Sequence, residues 1–141
     1  MEEVAAHVQA VTRHYTLHYP EHPARADDPH YADFEAYRRR THATAQCSMG
    51  LHRGDFSECS VDQPLELHHA HIEFSLQNGV DLAWLERDYP GISDPAQVGA
   101  WVESAANLAW LCARCHRGHG GVHVASASDY EASRYVRSLI S

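Results

Sequence analysis

Read from its amino end, the chain first sets Val4, Val8, Val11 and Tyr15 at helical spacing, which predicts a short amphipathic helix ending before Pro20. Pro20, Pro23 and Pro29 then mark an irregular linker. Tyr31, Phe34 and Tyr37 share one side of a second predicted helix, from about Tyr31 to Ala45. Arg38, Arg39 and Arg40 fall near its end, where positive charge meets the negative pole of the helix dipole.

From Cys47 to Cys59 the chain is rich in Gly, Ser and Asp and has no clear period, so it reads as a loop that something must hold in place. Pro64 to Ala70 sets Leu65 and Leu67 against Glu66 and His68, the alternation of a short strand with one buried face. On such a strand His68 and His69 point to opposite sides. The long connection that follows carries apolar spacing for two small helices, Asp81 to Tyr89 and Pro95 to Ser104, parted by Pro90-Gly91. Asp94 reads as an N-cap with proline at the first helical position.

Asn107 to Leu111 is short and apolar and predicts a second strand, after which Cys112 to Gly118 begins a helix that Gly120-Gly121 interrupts. Ser128-Asp129-Tyr130-Glu131 has the form of a capping box. Ala132, Tyr135, Val136, Leu139 and Ile140 continue it as a helical core face to the end. The expectation is a single α+β domain without internal repeats.

Composition narrows the function classes. The 141 residues suit one core, and 44% hydrophobic with 21% charged residues is globular and not disordered. No stretch has the apolar length to span a bilayer, and Met1-Glu2-Glu3 lacks the start of a signal peptide, so a cytoplasmic protein with no membrane partner is expected. A net charge of -8 opposes indiscriminate attraction to a polyanion. Bound metal ions and the 13 histidines offset part of that charge. Every one of the 11 basic residues is an arginine, which grips phosphate in a bidentate fork, although codon bias is the better explanation of such usage.

In a reducing compartment, four cysteines with two of them in Cys112-Ala113-Arg114-Cys115 favour thiolate ligands over disulfides. Cys47, Cys59, Cys112 and Cys115 form a candidate structural Zn2+ site that joins distant segments. The gap between Cys47 and Cys59 is wider than usual, and the plainer alternative is buried free cysteines. A second group comprises His68, His69, Asn107, His116 and a later histidine.

Leu65-Glu66-Leu67-His68-His69, then Asn107-Leu108, then Leu111-Cys112-x-x-Cys115-His116 resembles the HNH endonuclease family. The resemblance covers residues 47 to 123. It implies a small ββα-metal (His-Me finger) core with flanking helices and a helical insertion between the two strands. The single nuclease domain would then divide into an N-terminal helical segment (1–46), a zinc-stapled core (47–123) and a C-terminal helix (124–141).

The resemblance further implies that His68 binds a catalytic divalent cation, here Mg2+, Mn2+, Ni2+ or Zn2+. His69 would be the general base and Asn107 the residue whose side-chain carbonyl holds the His69 imidazole. The substrate would be nucleic acid, with double-stranded DNA favoured, cut to 5′-phosphate and 3′-hydroxyl ends. His116 supplies a further ligand. Family members place another histidine four positions on, but Gly120 stands there. The third ligand is then His119, if the helix continues, or His123, if the glycines end the helix and turn the chain back. His123 is preferred.

Other residues have plainer readings. His71 reads as packed or solvent-facing, and Glu66 as either an outer partner of the metal site or a solvated carboxylate. Arg38, Arg39 and Arg40 read as a solvated run, while Arg114 and Arg117 have a better claim on phosphate. Rival functions are a non-catalytic zinc module that binds DNA or protein, a ribonuclease, and a hydrolase of small phosphoesters. Target sequence, oligomeric state and pathway are not encoded in any motif.

Overall fold

The structure is a computed structural model that describes residues 1–141. Its fold is mixed α+β, with a two-stranded antiparallel sheet, six α-helices and three short 3-10 helices. Strand β1 is Glu66–His69 and β2 is Leu108–Leu111, paired so that Glu66 faces Leu111 and His69 faces Leu108. A bond from Ala70 N–H to the Asn107 carbonyl extends the ladder just past the strands.

Helix α1, Tyr31–Thr41, begins where expected and gives way to a 3-10 turn at His42–Thr44. Between the strands lie a 3-10 helix at Phe74–Gly79, α3 (Leu82–Asp88) and α4 (Pro95–Val102). Asp81 caps α3 by accepting from Trp84 N–H. Asp94 and Gln97 close a reciprocal capping box on α4, with Pro95 in the first turn, so the boundary is set by local sequence. Helix α5, Ala113–Arg117, packs against both strands.

Three expectations need correction. The helix predicted over Val4 to Tyr15 is absent, and Val4, Val8, Val11 and Tyr15 are all exposed. Spacing alone does not form a short helix in water when no neighbour buries its apolar face. The stretch after Cys47 is not all loop: Ser48–Arg53 forms α2, which ends at Gly54 in the left-handed conformation at φ 69°. The C-terminal helix is short. As α6 it spans Ala127–Ala132, with Ser126, not Ser128, accepting from the Asp129 N–H. Tyr135, Val136 and Leu139 are exposed, so the helical face predicted to the end does not form.

The core is split in two. One cluster joins Cys47, Met49, Leu111, Cys112, Cys115 and Tyr130; the other joins Leu85, Ile92, Val98, Trp101 and Val102 between the helices of the insertion. Only 20 of 141 residues are buried, and three of the six in the first cluster are cysteines. With so little apolar burial, a metal held by the thiols would add much to the first cluster. No helix is long and apolar enough to cross a membrane.

Candidate metal centres

The cysteine cluster is assembled from three elements. Cys47 precedes α2, Cys59 lies in the following loop, and Cys112 and Cys115 sit at the start of α5 and within it. The four Sγ atoms lie within 4.8 Å of one another, and none is in a disulfide. Thiolates around a tetrahedral zinc stand ~3.8 Å apart given a metal–sulfur bond of ~2.3 Å, so the set suits such an ion with little movement. The thiols already perturb one another. Cys47 is held far below its usual range, chiefly by the Cys115 thiol donating to it, while burial and the neighbouring sulfurs push Cys59 up. Four sulfurs in one small volume, one already favouring the thiolate, are a donor set that a thiophilic cation satisfies.

The second cluster comprises His68, His116 and His123, whose ligand nitrogens also lie within 4.8 Å of one another. Their ring centroids form a nearly equilateral triangle, with sides of 5.0, 4.9 and 4.8 Å. His68 comes from β1 and is 7% exposed, and His116 comes from α5.

His123 arrives by a turn of the backbone. Helix α5 ends at Gly118, Gly120 takes φ 78°, and the chain doubles back so that His123 N–H donates to the His116 carbonyl at 3.1 Å. A Cβ at Gly121 would lie 2.6 Å from the Arg114 carbonyl oxygen, so the return is tight enough to require glycine. His119 stands apart, with its Nε2 against the Ser141 carbonyl.

Protonation in this cluster is set by its partners. Burial first, then the adjacent imidazoles, lowers the His68 pKa to about 3, so its ring is neutral at pH 7. His116 Nδ1 lies 2.8 Å from Glu66 Oε1. A carboxylate only accepts, so Nδ1 carries the proton and the His116 Nε2 lone pair faces His123 Nε2 at 3.1 Å. Desolvation raises the Glu66 pKa, but bonds from His116 and Arg117 outweigh it and leave the carboxyl below its ordinary value. A carboxylate behind an imidazole is the arrangement that orients a metal-bound histidine. Glu73 Oε1 stands 3.8 Å from His123 Nε2 at the open side. Three imidazoles with converging nitrogens fit a borderline divalent cation.

Helix α5 therefore carries donors to both clusters, Cys115 to one and His116 to the other. His69 lies on the opposite face of β1 from His68, as strand alternation requires. Its ring stacks on Phe34 with centroids 5.5 Å apart, and its Nε2 lies 3.0 Å from Glu103 Oε2.

Asn107 does not make the contact expected of it. Its side chain is fully buried, Oδ1 accepts from His71 and Ile72 N–H, and Nδ2 donates to the Ile72 and Val102 carbonyls. The amide therefore clamps the backbone that leaves β1, and the His69 imidazole is held by a carboxylate instead. Glu103 escaped the sequence reading because a glutamate after a helix looks solvated, and no local pattern signals its burial. His71 is exposed and lies against the Tyr89–Trp101 pair. Arg117 is paired with Glu66, and Arg114 donates to the Glu58 carbonyl, so both are engaged within the chain. Arg38 pairs with Glu35, and Arg40 lies over the Tyr37 ring.

Family models, curated proteins and solved structures were all compared with the chain, and none matches. The geometry of the two clusters is what bears on function.

Proposed function

We propose that this protein is a metal-dependent HNH-type endonuclease that hydrolyses phosphodiester bonds in DNA, with His69 as the general base. The observation that carries the reading is the convergence of His68, His116 and His123 with His69 next in the strand on its other face. The antiparallel pair with α5 packed on it agrees with a ββα-metal core, and the four cysteines agree with a structural zinc beside it.

His68, His116 and His123 would hold the catalytic cation, with Glu66 keeping His116 in the tautomer that presents Nε2 inward. When bound, a divalent cation there supplies positive charge to a phosphate oxygen and to the departing oxygen. His69 removes a proton from water as the water oxygen attacks phosphorus. The bond from phosphorus to the 3′ oxygen breaks, that oxygen takes up a proton, and a 5′-phosphate and a 3′-hydroxyl remain. Asn107 holds the turn that follows His69, which limits how far the ring can shift.

Supercoiled plasmid with magnesium, manganese, nickel or zinc tests the proposal. Wild type should nick and then linearise it, and His69→Ala should lower the rate by ~10²- to 10⁴-fold while both metal contents persist. Wild-type protein that leaves DNA and RNA intact with every cation would refute the reading. One observation favours a non-catalytic zinc module instead: the arginines that flank His116 in the sequence, Arg114 and Arg117, bond to the Glu58 carbonyl and the Glu66 carboxylate, which competes with phosphate for them. That alternative predicts bound zinc with no cleavage. RNA cut in preference to DNA, with the same dependence on His69, would make the enzyme a ribonuclease.

A further inference from the structure

The Glu103 side chain is wholly shielded from solvent, directly after the C-terminal end of α4. A carboxylate there is unfavourable twice, through lost hydration and through the negative pole of the helix dipole. Two partners offset this. Arg25 Nη1 donates to Oε1 at 2.5 Å, and His69 Nε2 faces Oε2 at 3.0 Å. Arg25 is itself confined, with its guanidinium carbon 4.8, 4.7 and 4.8 Å from the ring centroids of Tyr31, Phe34 and Phe74. Phe34 also stacks on His69, so the N-terminal segment closes over the imidazole and its carboxylate together.

We infer that Glu103, anchored by Arg25, is a positioning residue that fixes the orientation and tautomer of His69. The inference deepens the proposed function and rests on His69 being the base. A carboxylate can only accept, so Nε2 of His69 carries its proton toward Glu103 and Nδ1 is left with a free lone pair. Nδ1 is then the atom that takes the proton from water. An imidazole in the other tautomer would present N–H to water and could not serve. Arg25 fixes which oxygen of Glu103 remains for His69, because a guanidinium only donates and occupies Oε1. Residues 25 to 34 thus complete a site whose other members come from β1 and the end of α4.

The decisive variant is Glu103→Gln. Arg25 must still face an acceptor, so the glutamine oxygen turns to Arg25 and its amide group turns to His69. An amide N–H donating to Nε2 moves the imidazole proton to Nδ1 and blocks the base, with almost no change in side-chain volume. Nitrogen-15 NMR of the full chain with zinc bound, the His69 ring assigned by comparison with His69→Ala, reads the tautomer without turnover. The wild-type ring should carry its proton on Nε2 and the variant ring on Nδ1. In plasmid cleavage, kcat should fall ~10²-fold or more with KM and cation affinity unchanged, as when a base is held in the wrong tautomer.

A wild-type ring protonated on Nδ1 overturns the inference, whether or not the variant folds. Full kcat in Glu103→Gln, where His69→Ala abolishes cleavage, overturns it and leaves His69 as the base. Full cleavage by His69→Ala instead removes the role of His69 on which the inference stands.

Discussion

Glu66 and His116 are joined by a 2.8 Å contact between Oε1 and Nδ1, and through it a strand residue sets which nitrogen of a helix residue faces the imidazole triangle. Arg117 grips the same carboxylate at 2.9 Å and keeps it from rotating away. Glu66→Ala should therefore weaken divalent-cation binding at the histidine site by ~10- to 100-fold, with metal binding at the cysteine cluster unchanged. Calorimetric titration with nickel on zinc-replete protein measures this, and an unchanged affinity would show that the carboxylate does not orient His116 for a cation.

Cys115 lies in the small core that also contains Met49 and Tyr130. Replacing it with alanine removes one of four sulfurs and leaves the others without a complete coordination shell. If the cluster holds zinc as proposed, the variant should retain about one zinc fewer per chain, and its cooperative thermal transition should broaden or vanish, because the binding free energy of such a metal is folding free energy. Elemental analysis and calorimetry read both. A variant that melts like wild type after losing its zinc would mean that the apolar contacts suffice.

Asn107→Ala deletes four hydrogen bonds and leaves the His71 and Ile72 N–H groups and the buried Val102 carbonyl without their partner. The loss should be about 3 kcal/mol, measured by urea unfolding, since each such bond contributes ~1 kcal/mol net. Cleavage should fall as well, through displacement of the turn after His69. An amide that only oriented His69 would impair cleavage and leave the unfolding midpoint in place.

The Asp55 carboxyl is held down to about 2, first by the Ser57 N–H, then by the Ser57 side chain and Arg137. Its folded pKa lies below the unfolded value of 3.8, so its contribution is fully present above about pH 4 and is lost as pH falls toward 2. Acidification through that window should loosen the turn leading to Cys59 and free Arg137, and Asp55→Asn should remove this part of the pH dependence. Carbon-13 NMR of the Asp55 carboxyl, if it gave a midpoint near 4, would contradict the docking of Arg137 on this turn.

The residues legible in the sequence were those whose chemistry is unusual wherever they stand. Four cysteines and a run of histidines announce donor atoms, and the structure brings Cys47, Cys59, Cys112 and Cys115 into one cluster and His68, His116 and His123 into another. The return of His123 was readable from Gly118 and Gly120-Gly121, because glycines at a helix end permit a reversal. Glu103 was not readable, since its burial depends on Arg25 approaching from another part of the chain. The missing N-terminal helix has the converse cause: Val4, Val8 and Val11 have the spacing, but nothing covers them. Helix α2 was hidden by its glycine and serine content and is held by Cys47 before it and Gly54 after it.

Helix α5 is only five residues long, yet its neighbouring Cys115 and His116 serve different clusters. So short a helix cannot stand alone; it rests on both strands, and a metal at its sulfur end would pin it further and sharpen the position of its imidazole. If both clusters hold cations as proposed, loading is ordered: a chain made without the metal that the cysteines take would lack the scaffold for its second cation, however abundant that cation was. On the proposed function, activity in the cell would then follow the supply of an ion that takes no part in cutting.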